Sequence, residues 1–171
     1  LSDPPDDYDP VTIDSTVDFT AIDDAWSSLE TYFIEKGVTV VNGSFGYQGN
    51  IVDYNEVDLR YAFPKTISVL AQTDTPDPYK TIFVWSAGNA GAYADQGIDY
   101  SSPEVFAGMA YLLPELQTHS VAVVALDEDG TIAYYSSRCG VAKDYCIAAP
   151  GSNIYSAYTQ ENANNGYVSW N

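Results

Sequence analysis

Residues 81–91 read TIFVWSAGNAG. The first five are mostly β-branched or aromatic, which is the composition of a buried strand. The next six are small apart from one amide, so another molecule can approach the backbone closely. In open α/β sheets, a loop at the carboxyl end of a strand is where ligands bind. We predict a functional loop in which Asn89 can donate two N–H groups to a developing oxyanion; the alternative is a polar turn that closes a core strand.

The residues before this strand predict a second unit of the same kind. Thr20 as the N-cap and Asp23 three residues later predict the start of a helix, and Gly37 predicts its end. Apolar residues recur within it at helical spacing and are expected to face a core: Ile22, Ala25, Trp26, Leu29 and Phe33. The β-branched run at 38–41 predicts a parallel strand buried on both faces, followed by a small-residue loop at 42–46.

The segment between these two strands is helical in pattern over residues 51–72. Pro64 divides it and is predicted to be the first residue of a second helix. Strands that alternate with helices predict a parallel sheet with right-handed crossovers. The loops after both strands must then lie at the same edge of the sheet, so we treat them as one candidate site.

The second half of the chain predicts further elements. Ser101 or Ser102 is expected to start a short helix that Pro114 ends, and residues 120–126 form an apolar strand. The Asp-Gly pair at 129–130 predicts a hairpin turn followed by a strand over 131–135. A short buried strand is expected at 146–149, and another lies in the tail from residue 167.

Composition restricts the class of protein. At 171 residues the chain is the size of one domain, and its 46% hydrophobic content excludes a disordered chain. No apolar run approaches the length of a membrane span. The formal net charge of −18 argues against nucleic acid or an anionic membrane as a partner. It suits an exported protein or one adapted to salt, and composition does not separate the two.

Two local clusters remain. Cys139 and Cys146 lie close together without a neighbouring histidine, so a disulfide in an oxidising compartment is expected rather than a zinc site. The first 19 residues form an acidic, irregular lead-in. Its aspartates fit either an oxygen-rich calcium loop or a merely solvated run: Asp3, Asp6, Asp7 and Asp9.

Four stretches in this order resemble motifs of the subtilisin-like serine proteases, or subtilases. VVNGSFG at 40–46 is similar to the family's Val-Ile-Asn-x-Ser-Leu-Gly, and SAGN at 86–89 to its Ala-Ala-Gly-Asn loop. SVAVVAL at 120–126, with YYSS at 134–137, resembles its Val-Ile-Ala-Val-Gly-Ala strand and Phe-Ser-Ser hairpin. IAAPG at 147–151 resembles its Val-x-Ala-Pro-Gly. The cysteine-bounded segment at 138–147 is similar to subtilase passengers of Gram-negative autotransporters.

The resemblance implies roles for the two loops. An extended peptide substrate would pair with the edge formed by Ser44, Phe45 and Gly46. The pocket for the residue before the scissile bond would be formed by Ser86, Ala87 and Gly88, whose small side chains imply that it accepts large apolar groups. Asn89 would donate to the oxyanion. The implied fold class is α/β: a mostly parallel sheet flanked by helices.

The catalytic triad of the family is not matched. Only 37 residues precede Val38, and none carries the family's Asp or His-Gly-Thr-His motif. The one histidine, His119, is interpreted as a surface or capping residue. Asn171 fits the first residue of Asn-Gly-Thr-Ser-Met-Ala, which would put the nucleophile three residues past the end. Residues 1–171 are therefore interpreted as a partial subtilase catalytic domain, with 20–171 as core, truncated at both ends.

These departures lead to expectations and alternatives. Residues 1–171 alone are expected to be inactive, and to self-associate or rearrange because apolar edges and faces are left open. The main alternative is a non-catalytic binding or structural module with a degenerate subtilase fold. An unrelated α/β hydrolase would need a Gly-x-Ser-x-Gly elbow, which the chain lacks, and neither common nucleotide-binding signature is present.

Overall fold

A four-stranded parallel sheet organises the computed structural model, which describes residues 18–47, 49–157 and 167–170. Its strands lie in chain order: β1 Val40–Gly43, β2 Ile82–Ser86, β3 Ser120–Leu126 and β4 Cys146–Pro150. Helices α1 Thr20–Glu35, α2 Glu56–Ala62, α3 Pro64–Ala71 and α4 Val105–Leu112 occupy the connections. The α/β fold class predicted from the sequence is confirmed. The aspartates considered for calcium lie outside the described residues.

A second, antiparallel pair lies apart from this sheet. Strand β5 Ile154–Ala157 pairs with β6 Tyr167–Trp170. The tail strand was expected, whereas β5 was not predicted, because its four residues follow a Pro-Gly pair with no hydrophobic alternation.

The start of α1 differs from the prediction. Thr20 is the first helical residue and not the N-cap, and its N–H is accepted by Asp18 Oδ1 at 2.9 Å. Asp23 is buried and accepts the backbone N–H groups of Lys65 and Thr66 at 3.0 and 2.9 Å. It thus caps the first turn of α3, 41 residues further along the chain. The predicted stop at Gly37 is confirmed, because its φ of +68° is the left-handed conformation that glycine allows.

The buried face of α1 also differs. Its buried residues are the polar Asp23, Ser27 and Glu30, whereas Ile22 and Leu29 are exposed. Ala25 is exposed as well, and only Trp26 and Phe33 of the predicted stripe pack against the core. The helix packs on α3, and the Asp23 cap turns the polar side of α1 inward, which leaves most of the predicted apolar stripe facing outward.

The sheet has one covered and one open face. In β2 the side chains of Phe83 and Trp85 are buried, and Ala122 lies beside Trp85 on β3. On the other face, Val40 is 57% exposed and Ile147 is 56% exposed. The prediction that the strand at 38–41 is buried on both faces is therefore wrong, and so is the prediction of a buried strand at 146–149. Both are edge strands of the described sheet, with helices on one side.

Three local predictions can be compared directly with the structure. Pro64 is the first residue of α3, as predicted. The disulfide between Cys139 and Cys146 is present, with an S–S distance of 2.04 Å. Residues 131–135 do not form a strand: the turn at 129–130 exists, but only one bridge, between Leu126 and Ile132, follows it. The Ser136 hydroxyl accepts the N–H of Ala125 at 3.1 Å and so replaces a backbone pairing partner.

Candidate functional site

The two predicted loops meet at the carboxyl edge of the sheet. Strands β1 and β2 are parallel neighbours with Gly43 beside Trp85, so the residues that follow them leave the sheet side by side. They enclose a cavity of about 250 Å³. Its lining comprises Ser44, Phe45, Gly46, Ser86, Gly88, Asn89, Ala90, Tyr93 and Glu104. Six of the seven residues predicted from the sequence for this site are therefore brought together.

Ala87 is the exception. It is buried beneath the loop, and its N–H donates to the carbonyl of Val123 at 2.8 Å. Its own carbonyl accepts the N–H of Glu104 at 2.9 Å. Ala87 therefore holds the loop against β3 and against the start of α4 and does not line the cavity. Its role is one of positioning the neighbouring Ser86 and Gly88.

Phe45 is fixed by aromatic neighbours. Its ring stacks on that of Trp26 from α1, with 4.4 Å between centroids and 14° between planes. It also meets the Trp85 ring edge-on at 5.7 Å. Gly43 makes this close approach feasible, because a Cβ atom there would overlap the Trp85 ring. Trp26 packs against the core, as the sequence predicted, and its ring also supports the wall of the cavity.

Asn89 lies at the mouth of the cavity with an exposed side chain. Its loop is anchored from below: Ala90 donates its N–H to Ser137 Oγ at 3.3 Å, and Ser137 donates its N–H to the Gly88 carbonyl at 2.9 Å. Within the part of the chain that the structure describes, the side-chain amide of Asn89 makes no hydrogen bond. Its N–H groups are therefore available to a ligand in the groove.

Glu104 is the residue of this site that sequence reasoning missed. It is the N-cap of α4, whereas the sequence predicts that Ser101 or Ser102 starts this helix. Its carboxylate lies against Gly88 and near Gly46, so the expectation of a pocket with small linings alone is wrong. Burial raises the pKa of this carboxyl group. A glutamate before a helix usually indicates only a favourable charge near the helix start, so the sequence carried no signal for this position.

A larger cavity of about 530 Å³ opens on the exposed face of the sheet. It shares Ser44, Ser86 and Asn89 with the first cavity and extends over β3 and β4 to Gly151. Asn89 therefore stands between the two cavities.

His119 lies at the opposite end of the sheet, directly before β3. It is 2% exposed; its Nε2 contacts the carbonyl of Leu70 in the last turn of α3, and its Nδ1 contacts Thr118 Oγ1 at 2.9 Å. Burial lowers the pKa of the imidazole. The interpretation as a capping residue is confirmed, and the interpretation as a surface residue is wrong.

Over residues 18–47, 49–157 and 167–170, no group of three or more His, Cys, Asp or Glu side chains is placed to hold a metal ion. In the same ranges, no helix has the length and apolar character required to cross a bilayer.

Solved structures share this fold. The patellamide maturation protease PatG superposes with a TM-score of 0.56 at 16% identity, over 85% of this chain and 34% of that one. The prenylagaramide maturation protease PagA gives 0.54 at 18% identity, over 79% and 39%. At these identities the likeness concerns the fold alone.

Sequence comparisons give closer relationships. The chain is 30% identical over 129 residues to serotype-specific antigen 1 of Mannheimia haemolytica. This alignment covers 74% of this chain and 13% of that protein. It is 31% identical over 85 residues to an extracellular serine protease of Serratia marcescens, over 50% and 8%. The chain thus spans a small part of both relatives. A profile of the subtilase family matches residues 11–171, and the chain belongs to that family.

Proposed function

We propose that this chain is the substrate-binding middle part of an exported subtilisin-like serine endopeptidase, which hydrolyses peptide bonds through an acyl-enzyme. The observation that carries the proposal is the pairing of β1 with β2. It puts the loop containing Phe45 and the loop containing Asn89 on two sides of one cavity. A groove with an open edge on one side and an amide donor on the other suits an extended peptide bond.

Each loop has a distinct role in this proposal. The backbone of Ser44 to Gly46 pairs with the substrate backbone. Gly46 leaves space for it, since among the described residues only Glu104 lies within 4 Å of the position that a Cβ would occupy. The cavity beside Gly88 takes the side chain of the residue before the scissile bond. The Asn89 amide donates to the oxygen that becomes negative in the tetrahedral intermediate.

The nucleophile and its base lie elsewhere in the complete protein. A serine protease needs a histidine beside the serine that it activates. The one histidine of this chain is buried at the far end of the sheet, bonded to a helix carbonyl. Residues 1–171 alone are therefore proposed to bind peptide and not to cleave it. If the complete protein has no catalytic triad, this chain is instead part of a binding or structural module.

An extracytoplasmic location is part of the proposal. The Serratia relative is described as extracellular and the Mannheimia relative as an antigen. The disulfide between Cys139 and Cys146 is of the kind that persists in oxidising compartments.

A serine-directed fluorophosphonate probe tests the proposal. We expect the complete protein that contains this segment to be labelled and to hydrolyse chromogenic peptides, and the 171-residue chain to do neither. Heat-denatured complete protein serves as the labelling control. A complete protein that is neither labelled nor active would favour the non-catalytic module. Hydrolysis by the 171-residue chain would contradict the assignment of the triad to other segments.

A further inference from the structure

A carboxylate lies where the proposed function puts the side chain of the residue before the scissile bond. Glu104 reaches between the two loops: its Oε2 is 3.8 Å from the position of a Cβ on Gly46. On the other side, a Cβ on Gly88 would collide with the carboxyl group of Glu104. Gly88 also has a φ of +105°, which other residues rarely adopt. The loop is thus shaped to admit this carboxylate.

Two backbone hydrogen bonds fix the position of Glu104, and hence of its carboxylate. The N–H of Glu104 donates to the Ala87 carbonyl at 2.9 Å, and its carbonyl accepts the N–H of Gly108 at 2.8 Å in the first turn of α4. Because these bonds attach Glu104 to a strand loop and to a helix, its position in the cavity is fixed by regular structure. Sites on such elements are more precisely arranged than sites on free loops.

The Glu104 carboxylate has few hydrogen-bond and ion-pair partners inside the cavity. Asn89 donates its backbone N–H to Oε1 at 3.2 Å, and this is the one hydrogen bond to the Glu104 side chain within the described ranges. A carboxylate can accept about four. All six Lys and Arg residues of the chain are described, and none forms an ion pair with Glu104. Glu104 is half-buried, and a carboxylate in such a cavity is stabilised by a cation that pairs with it.

We propose that Glu104 makes the cavity between Gly46 and Gly88 selective for a lysine or arginine side chain at the substrate residue before the scissile bond. This inference rests on the proposed function and replaces the expectation of a large apolar residue there. An ammonium or guanidinium group in the cavity forms charge-assisted hydrogen bonds with the free lone pairs of the carboxylate. The chain's formal net charge of −18 favours the approach of such cationic peptides.

Peptide kinetics on the complete protein test the inference. We expect kcat/KM for substrates with Arg or Lys before the scissile bond to exceed that for Phe or Leu by about 100-fold, and Glu104→Gln to remove most of that preference. Glu35→Gln, an exposed site on α1, changes the net charge equally and should leave the preference unchanged. Equal cleavage of Arg and Phe substrates by the unaltered protein would overturn the inference and leave the proposed function standing.

Benzamidine binding to the 171-residue chain gives a readout that needs no catalysis. We expect binding by calorimetry that Glu104→Gln abolishes and Glu35→Gln retains. Binding should weaken as the pH falls, from a higher pH than for an ordinary glutamate, since burial raises the pKa of Glu104. Selective binding without peptide hydrolysis by the complete protein would overturn the proposed function and keep the cation pocket. No difference between the unaltered chain and Glu104→Gln would overturn the cation pocket.

Discussion

Replacing Asn89 by alanine in the complete protein is expected to lower kcat about 10²–10³-fold, as loss of one oxyanion-hole donor does in subtilisin, where this effect was measured. KM is expected to change little, because the amide contacts the oxygen only as negative charge develops on it. The Asn89 side chain is exposed at the mouth of the cavity and makes no hydrogen bond among the described residues. The variant should therefore keep its thermal stability. Steady-state kinetics with a chromogenic peptide measure both constants.

A matched control comes from Asn55, another exposed asparagine. Its Oδ1 accepts the N–H of Asp58 at 3.1 Å and caps α2, away from the cavity. Asn55→Ala is expected to lower the free energy of unfolding by about 1 kcal/mol and to leave kcat unchanged. The two variants should thus show opposite patterns. An Asn89→Ala protein with unaltered kcat would remove Asn89 from the oxyanion hole.

Replacing Glu30 by methionine is expected to stabilise the fold by about 3 kcal/mol at pH 7. Glu30 is 2% exposed on α1, and neither carboxyl oxygen has a hydrogen-bond partner among the described residues. Burial, with a smaller contribution from the charge of Asp23, raises its pKa from 4.5 to about 8. Methionine has a similar length and no group that requires a partner. Urea unfolding of both proteins at pH 7 gives the difference.

The pH dependence of the same group has a definite sign. Between pH 4.5 and about 8, Glu30 is protonated in the folded chain and ionised in the unfolded chain, so the free energy of unfolding falls as the pH rises. The favourable contribution is fully present below pH 4.5 and is lost as the pH passes 8. Glu30→Met should flatten this slope, whereas Glu35→Met, on the exposed side of the same helix, should retain it. If the free energy of unfolding depends on pH equally in all three proteins, Glu30 is not held in its protonated form in the folded chain.

The sequence predicted those elements whose signals are local. The β-branched run at 120–126 forms β3 over those residues, and the strand predicted at 81–85 is shifted by one residue. Because helices alternate with strands, the loops that contain Gly46 and Asn89 were expected to lie at the same edge of the sheet. That inference depends only on connectivity, and the observed register confirms it.

The failures involve contacts between distant parts of the chain. Asp23 caps a helix that begins 41 residues later, and this contact reverses which side of α1 is buried. Glu104 reaches the space beside Gly88 through a hydrogen bond from its backbone to Ala87. Neither contact produces a periodic pattern in the sequence. The exposure of Val40 and Ile147 is likewise a property of edge strands, which composition alone does not distinguish from central ones.

The most direct test of the peptide groove is a ¹H–¹⁵N NMR titration of the 171-residue chain with a six-residue peptide that carries arginine at its fourth position. We predict the largest shifts at the backbone amides of Phe45 and Gly46 and at the side-chain amide of Asn89. A Gly46→Ala chain, in which the added Cβ would lie 3.8 Å from Glu104 Oε2, an ordinary contact, should weaken these shifts. Shifts confined to β5 and β6, with none at Gly46 or Asn89, would contradict the account.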